Sequence, residues 1–116
     1  MKPTASDLAP VNMLEEHVML AVLRTGADAY GMNVRRELED VTGRDVTIGS
    51  VYITLDRLEA KGLVASTRTA AAQGSSPASR RVFAVTSLGV RVLAETRAMR
   101  ERLWAGIDLR ARLRSI

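Results

Sequence analysis

The sequence holds no cysteine, a single histidine, and one tryptophan, two tyrosines and one phenylalanine in 116 residues. The lack of cysteine excludes disulfides, thiolate catalysis and cysteine-based metal sites. His17, with neither a cysteine nor a second histidine to join it, is a poor metal ligand and reads as structural. There is no glycine-rich phosphate loop either, so the chain does not read as an enzyme, and no cofactor or metal is expected. No apolar run approaches the length of a membrane span. Behind Lys2, the residues Asp7, Pro10 and Asn12 interrupt any continuous apolar segment, which argues against a secretory signal. A reduced, cytoplasmic location is the expectation. With so few aromatic residues, the core has to be built from Val, Leu, Ile, Ala and Met.

What is there is globular in composition: 47% hydrophobic and 26% charged. The length suits one domain with a real core rather than two. The net charge is +4 and the pI about 10.3, and all but Lys2 and Lys61 of the 17 basic residues are arginine. That balance favours an anionic partner, nucleic acid first and a membrane surface second. A GC-rich genome is the plainer source of the same arginine excess.

Residues 1–12, with Pro3 and Pro10, read as an N-terminal arm. Asn12 and Glu15 have capping-box spacing. From Met13, apolar residues at 14, 18, 19, 21, 22 and 23 predict a largely buried helix stopped by Gly26. A second helix opens after Tyr30–Gly31, carries Met32, Val34, Leu38 and Val41, and stops at Gly43. Within 46–64, Ile48, Val51, Leu55 and Leu58 form one apolar stripe, with Thr47 as N-cap and Gly62 as stop. Thr47, Ser50, Thr54, Arg57 and Lys61 are expected on the opposite face. Residues 63–68 then alternate as a strand, 70–79 are small and polar and read as a mobile loop, and 80–85 form a second strand. Three helices and a hairpin in that order predict a mainly α winged helix-turn-helix over 13–85.

Thr86 is placed to cap a last helix over 86–116, with Leu88, Val92, Met99, Leu103 and Ile107 at helical spacing and Trp104 beside them. Unbroken to Arg114 it would span roughly 40 Å. That is more than a small trihelical core covers, so a second copy of the same helix is its expected partner. Gly106 is where it would otherwise break or bend.

Particular residues of this layout carry a resemblance. Tyr30–Gly31 precedes the second helix, and Gly49-Ser50-Val51-Tyr52 opens the third. Leu55, Arg57-Leu58-Glu59, Gly62-Leu63-Val64, Arg80-Arg81-Val82-Phe83 and Thr86 with Gly89 complete the set. Over roughly residues 14–95 the chain resembles the PadR family of bacterial transcriptional regulators, in its compact subgroup with one C-terminal helix. The pairing of Gly49-x-x-Tyr52 with Thr86-x-x-Gly89 is the more specific part. The resemblance implies a homodimeric winged-helix repressor paired through its last helix and, as in several members, released from DNA by an aromatic or phenolic compound. Two positions depart from it: Ile53 stands where the family often has proline, and Phe83 where it often has tyrosine.

A helix between a tight turn and a basic hairpin reads as the recognition helix of double-stranded DNA. Thr47, Ser50 and Thr54 offer hydroxyls to phosphates or base edges, with Ile53 beside them on a small neutral face. Thr47 has a capping role besides. Tyr52 lies between the two faces, either as a core ring or with its hydroxyl on a phosphate. Arg57 and Lys61 are expected on backbone phosphates, unless Arg57 pairs with Glu39 or Asp56. Arg80 and Arg81, with Arg68 across from them, are the wing candidates for a minor groove or a phosphate clamp; the plainer reading is a charged, exposed strand.

The expected dimer seam is Leu88, Val92, Met99, Leu103, Trp104 and Ile107. Trp104 either packs there or, with Met99 and Leu103, stacks on a flat effector. The basic residues 110–114 either touch DNA or complement a helix C-terminus. The expected operator is a pseudo-palindrome with half-sites about one helical turn apart. A winged helix serving as a protein-interaction module, or one binding RNA, is the alternative.

Overall fold

The computed structural model describes residues 11–69 and 80–114, so the expected arm up to residue 10 and the expected loop over 70–79 lie outside the described residues. Helix α1 (Met13–Thr25) starts where Asn12 and Glu15 cap each other. The Glu15 N–H donates to Asn12 Oδ1 at 2.8 Å and the Asn12 N–H donates to Glu15 Oε1 at 3.0 Å. One 3-10 turn, Gly26–Asp28, leads to α2 (Gly31–Thr42). The turn into α3 (Ile48–Ala60) is held from α2: Arg35 Nε donates to the Val46 carbonyl at 2.8 Å, and Glu39 accepts the Val46 N–H at 3.0 Å. Thr47 caps α3 by accepting the Ser50 N–H at 3.0 Å.

Strands β1 (Val64–Thr69) and β2 (Arg80–Val85) pair antiparallel, with Val64 opposite Val85 and Thr69 opposite Arg80. Phe83 turns its N–H to the Ala29 carbonyl at 2.8 Å, which ties the hairpin to the segment before α2. Val51, Leu55 and Leu58 of α3 are fully buried with Val18 and Met19 of α1, Val34 of α2, and Leu63, Val64 and Phe83 of the hairpin base. The one phenylalanine therefore sits in a core otherwise made of aliphatic side chains and Met19, as the composition requires. This is a winged helix-turn-helix, mainly helical with one two-stranded sheet.

Helix α4 (Ser87–Trp104) is joined to this core over its first half. The Thr86 N–H donates to the Leu63 carbonyl at 3.0 Å, the Thr86 hydroxyl to the Gly62 carbonyl at 2.7 Å, and the Gly89 N–H to Thr86 Oγ1 at 3.0 Å. A side chain at Gly89 would run into the Leu63 carbonyl and sit 2.7 Å from Val85 Cγ1, so only hydrogen fits there. Val92 and Leu93 are buried inside the subunit, and Leu88 is packed against the same core.

Of the two courses open to the last helix, the break is the one found: α4 stops at Trp104, 18 residues or about 27 Å, the chain turns at Gly106 (φ +78°), and a short α5 (Leu109–Arg114) follows. Two expectations are corrected here. Val92 is buried in the subunit's own core and is not available to a second copy, and Leu88 is partly buried against the same core. Helix α1 is buried at Val18, Met19, Ala21 and Val22, but Leu14 and Leu23 are exposed, along with Met13 and Leu20. The helix touches the core along one stripe only, and its other side is apolar as well.

Two buried acids at the start of α1 hold distant elements. Glu15 Oε2 meets Lys61 Nζ at 2.6 Å, at the end of α3, and Glu16 Oε2 meets Arg100 Nη2 at 3.0 Å, on α4. Burial pushes the Glu15 carboxyl up, but the Lys61 hydrogen bond, the Asn12 N–H and the charges of Lys61 and Arg57 outweigh it and leave it below its usual 4.5.

Two outcomes follow. Gly89→Ala forces the Thr86–Leu63 backbone contact apart and is expected to lower stability by about 1–3 kcal/mol in urea unfolding. Glu15→Gln is expected to lose about 1–2 kcal/mol at neutral pH, kept modest because Lys61 leaves nearly half its side chain in water. Since the folded-state pKa is depressed, wild type holds this advantage above pH 4.5 and loses it as pH falls further. Unfolding curves collected between pH 7 and pH 3 should converge for the two proteins.

Candidate nucleic-acid interface

With Val51, Leu55 and Leu58 turned inward, the 3.6-residue period leaves Thr47, Tyr52, Ile53, Asp56 and Arg57 on the exposed side of α3, with Ser50 half-buried beside them. Ile53 is an apolar side chain left 57% exposed. Tyr52 stands at the margin, as its place between the two faces predicts. Its ring lies so close over Gly31 that a methyl group at that position would overlap it. The amide backbone at the start of α2 thereby becomes the floor on which Tyr52 rests.

Two assigned residues are not where sequence spacing puts them. Thr54 is buried, and its hydroxyl donates to the Ser50 carbonyl at 2.8 Å, so it belongs to the core side of α3 and has no hydroxyl to offer a ligand. Lys61 stays partly exposed, but its ammonium is paired with Glu15. Arg57 is exposed and pairs with neither Glu39 nor Asp56. Glu39 is taken by Val46 and Arg35, and Asp56 by Arg81.

The hairpin places its arginines differently from one another. The Arg80 guanidinium lies 4.8 Å over the Tyr30 ring. Arg81 instead reaches back to α3, with Nη1 at 3.1 Å from Asp56 Oδ1 and Nη2 at 2.8 Å from Glu59 Oε1, and stacks 4.8 Å over Phe83. Tyr30, Met32, Tyr52, Arg68, Arg80 and Arg81 together line a cleft of about 340 Å³ between the start of α2, α3 and the wing. Guanidinium groups and phenol hydroxyls around one polar cleft suit an oxyanion such as a backbone phosphate. Among the described residues, no cluster of three His, Asp or Glu side chains is set to hold a metal ion, and no helix is long and apolar enough to cross a membrane.

Sequence reasoning missed Tyr30 and Glu59 as parts of this surface, although both lie within the segments quoted for the family. Tyr30 carried a signal, an aromatic residue directly before a helix-opening glycine. Glu59 carried none beyond its place in an Arg-Leu-Glu triplet, because its partners Ser66 and Arg81 come from two different strands.

Between α1 and α2, His17, Leu20, Leu23, Leu38 and Val41 line an open apolar groove of about 490 Å³. Leu103 and Trp104 at the end of α4 and Ile107 in the turn after it are 71%, 58% and 52% exposed, and Met99 is half-buried.

Comparison with known proteins bears on the family and the fold. The model of the transcriptional regulator PadR-like family matches residues 19–95, well over half the chain. A PadR family transcriptional regulator from Eggerthella lenta is 30% identical, over 77% of this chain and 75% of that one, with a TM-score of 0.62. A PadR-like transcription factor from Bacteroides fragilis is 27% identical, over 78% and 82%, with a TM-score of 0.66. A PadR-like regulator from Bacillus cereus shares the fold at 22% identity, over 81% and 93%, with a TM-score of 0.59. A comparison with curated protein sequences gave no match. Family model, winged-helix fold and structural neighbours agree, and the chain belongs to the PadR-like family of DNA-binding transcriptional regulators, which are transcription factors and not enzymes.

Proposed function

We propose that this protein is a cytoplasmic, homodimeric, sequence-specific repressor in which each subunit sets α3 in a major groove and lays its wing on the adjacent backbone. The observation that carries this reading is the juxtaposition of the exposed face of α3 with the Tyr30–Tyr52–Arg80 cleft. A phosphate held in that cleft fixes the register of the helix on the duplex without reading sequence. Thr47 and Ser50 then supply polar contacts, Arg57 a further phosphate contact, and Ile53 has the chemistry of a thymine-methyl contact. Arg68 lines the same cleft and completes its basic rim.

Pairing is supported by the apolar residues at the end of the chain. Leu103, Trp104, Ile107, Leu109 and Leu113 are all more than half exposed, more apolar surface than the end of a water-facing helix ordinarily carries. A second copy covers them by two-fold contact, and the apolar groove beside α1 extends the surface available to it. In this arrangement residues 13–85 form the reading head and 86–116 the pairing segment, with the first half of α4 built into the head. Two heads related by a two-fold axis read a pseudo-palindrome with half-sites about one turn apart. Trp104, with Met99 and Leu103, lies on the pairing segment, where a flat aromatic effector would stack and release the DNA.

Selection of bound duplexes from a random pool tests the central reading: a pseudo-palindromic consensus is expected, and a pool with no enrichment would remove it. On the selected site, Arg80→Ala should weaken binding to all duplexes alike and make the salt dependence shallower by about one in slope. Unchanged affinity together with an unchanged slope takes the wing out of the interface. Trp104→Ala is expected to raise the dimer dissociation constant on the order of tenfold or more in sedimentation equilibrium. Because Trp104 is the only tryptophan, quenching of its fluorescence also reports whether aromatic compounds stack on it.

A further inference from the structure

One carboxylate of α3 contacts both strands of the wing. Glu59, in the last turn of α3, accepts the Ser66 N–H at 2.9 Å and the Ser66 hydroxyl at 2.7 Å on Oε2, and Arg81 Nη2 at 2.8 Å on Oε1. Ser66 belongs to β1 and Arg81 to β2, so a single side chain of the recognition helix grips both strands. Asp56, one turn earlier, takes the other terminal nitrogen of Arg81, and the buried Phe83 ring backs the guanidinium. The Ser66 hydroxyl, against the opposing effect of partial burial and helped by the Ser66 N–H and Arg81, holds the Glu59 carboxyl below its ordinary 4.5, so it is charged at neutral pH.

We infer that Glu59 is the positioning residue of the DNA interface: it sets the angle of the wing to α3 and uses Arg81 as a strut, leaving Arg80 to meet the phosphate backbone. This inference rests on the DNA-binding reading above. The reason for it is electrostatic. A carboxylate at the rim of a surface that binds phosphates repels them, and by charge alone its removal should tighten binding. Its geometry does the opposite, since it joins three donors from two strands to the one helix that enters the groove. Charge and geometry therefore predict effects of opposite sign when Glu59 is neutralised.

The test uses the full chain and the duplex selected from the random pool. Affinity is measured across a salt series for wild type, Glu59→Gln and Arg81→Lys, with thermal unfolding of each. Glu59→Gln adds one unit of positive charge yet is expected to bind about tenfold more weakly, because a glutamine amide cannot accept from Ser66 and Arg81 together. Hydroxyl-radical protection at the wing's phosphates should fade while protection under α3 persists. Equal or tighter binding by a folded Glu59→Gln overturns the inference.

Arg81→Lys keeps the charge, but a single ammonium cannot bridge Asp56 and Glu59 as the planar guanidinium does. It is expected to bind several-fold more weakly with an unchanged salt slope, and unchanged affinity overturns the inference, even where Glu59→Gln fails to fold. A wild-type protein that enriches no duplex overturns the DNA-binding reading and this inference with it. A wild type that binds, alongside a Glu59→Gln that binds as well, overturns this inference alone.

Discussion

Burial of the inner stripe of α3 is the constraint on which the other elements depend. Val51, Leu55 and Leu58 have no exposed surface and meet side chains from α1, α2 and the base of the hairpin. Each such side chain gains about 1.5–3 kcal/mol from leaving water, so the helix cannot turn about its axis without losing most of that. With its rotation fixed, the outward residues are fixed too. Tyr52, Ile53, Asp56 and Arg57 face away from the core because Val51, Leu55 and Leu58 do not. The same helix that closes the core thus presents a surface whose orientation follows from the packing beneath it.

The acids around α3 extend that constraint to the rest of the chain. Glu15 fastens the end of α3 to α1, Glu16 fastens α4 to the same turn of α1, and Glu59 with Asp56 fastens the wing to α3. Glu15 and Glu16 are buried and Glu59 and Asp56 lie nearer the surface, and each joins elements that are separate in the chain. Arg81 is the clearest example. Counted by sequence it is one more positive charge on a basic hairpin; in the fold it is neutralised by two carboxylates and stacked on the core. Arg80, its neighbour, alternates to the other side of the strand and meets Tyr30 instead.

Much of the fold was legible because its signals are local. Asn12 and Glu15, Thr47 and Ser50, and Thr86 and Gly89 are caps within three residues of their helices, and each forms as the spacing predicts. The second strand matches its predicted bounds, since Phe83 and its alternating neighbours mark one buried face. The candidate site was less legible. Thr54 has the spacing of a surface residue on a simple two-face reading, yet it lies beside Leu55 and Val51, and its hydroxyl satisfies itself on the preceding turn. Lys61 looks like a solvated helix-end cation until Glu15, 46 residues earlier, is brought beside it. The length of the last helix stayed open in the sequence because apolar spacing continues from Leu103 to Ile107 across Gly106, where the chain turns.

By itself, then, the sequence determined the order of elements, their caps, the apolar stripes that must be buried and the basic character of the hairpin, because each of these depends on residues a few positions apart. Only the tertiary structure decided which charges remain available. Lys61, Arg81 and Arg100 are paired with acids from other elements, while Arg57 is exposed on α3 and Arg80 stacks on Tyr30 at the cleft. It also decided which apolar residues of α4 belong to the subunit, Leu88 and Val92, and which project beyond it, Leu103 and Trp104. The physical reason is the same in both cases. A side chain's period along its helix says which face it occupies, whereas what lies against that face is set by segments far away in the chain.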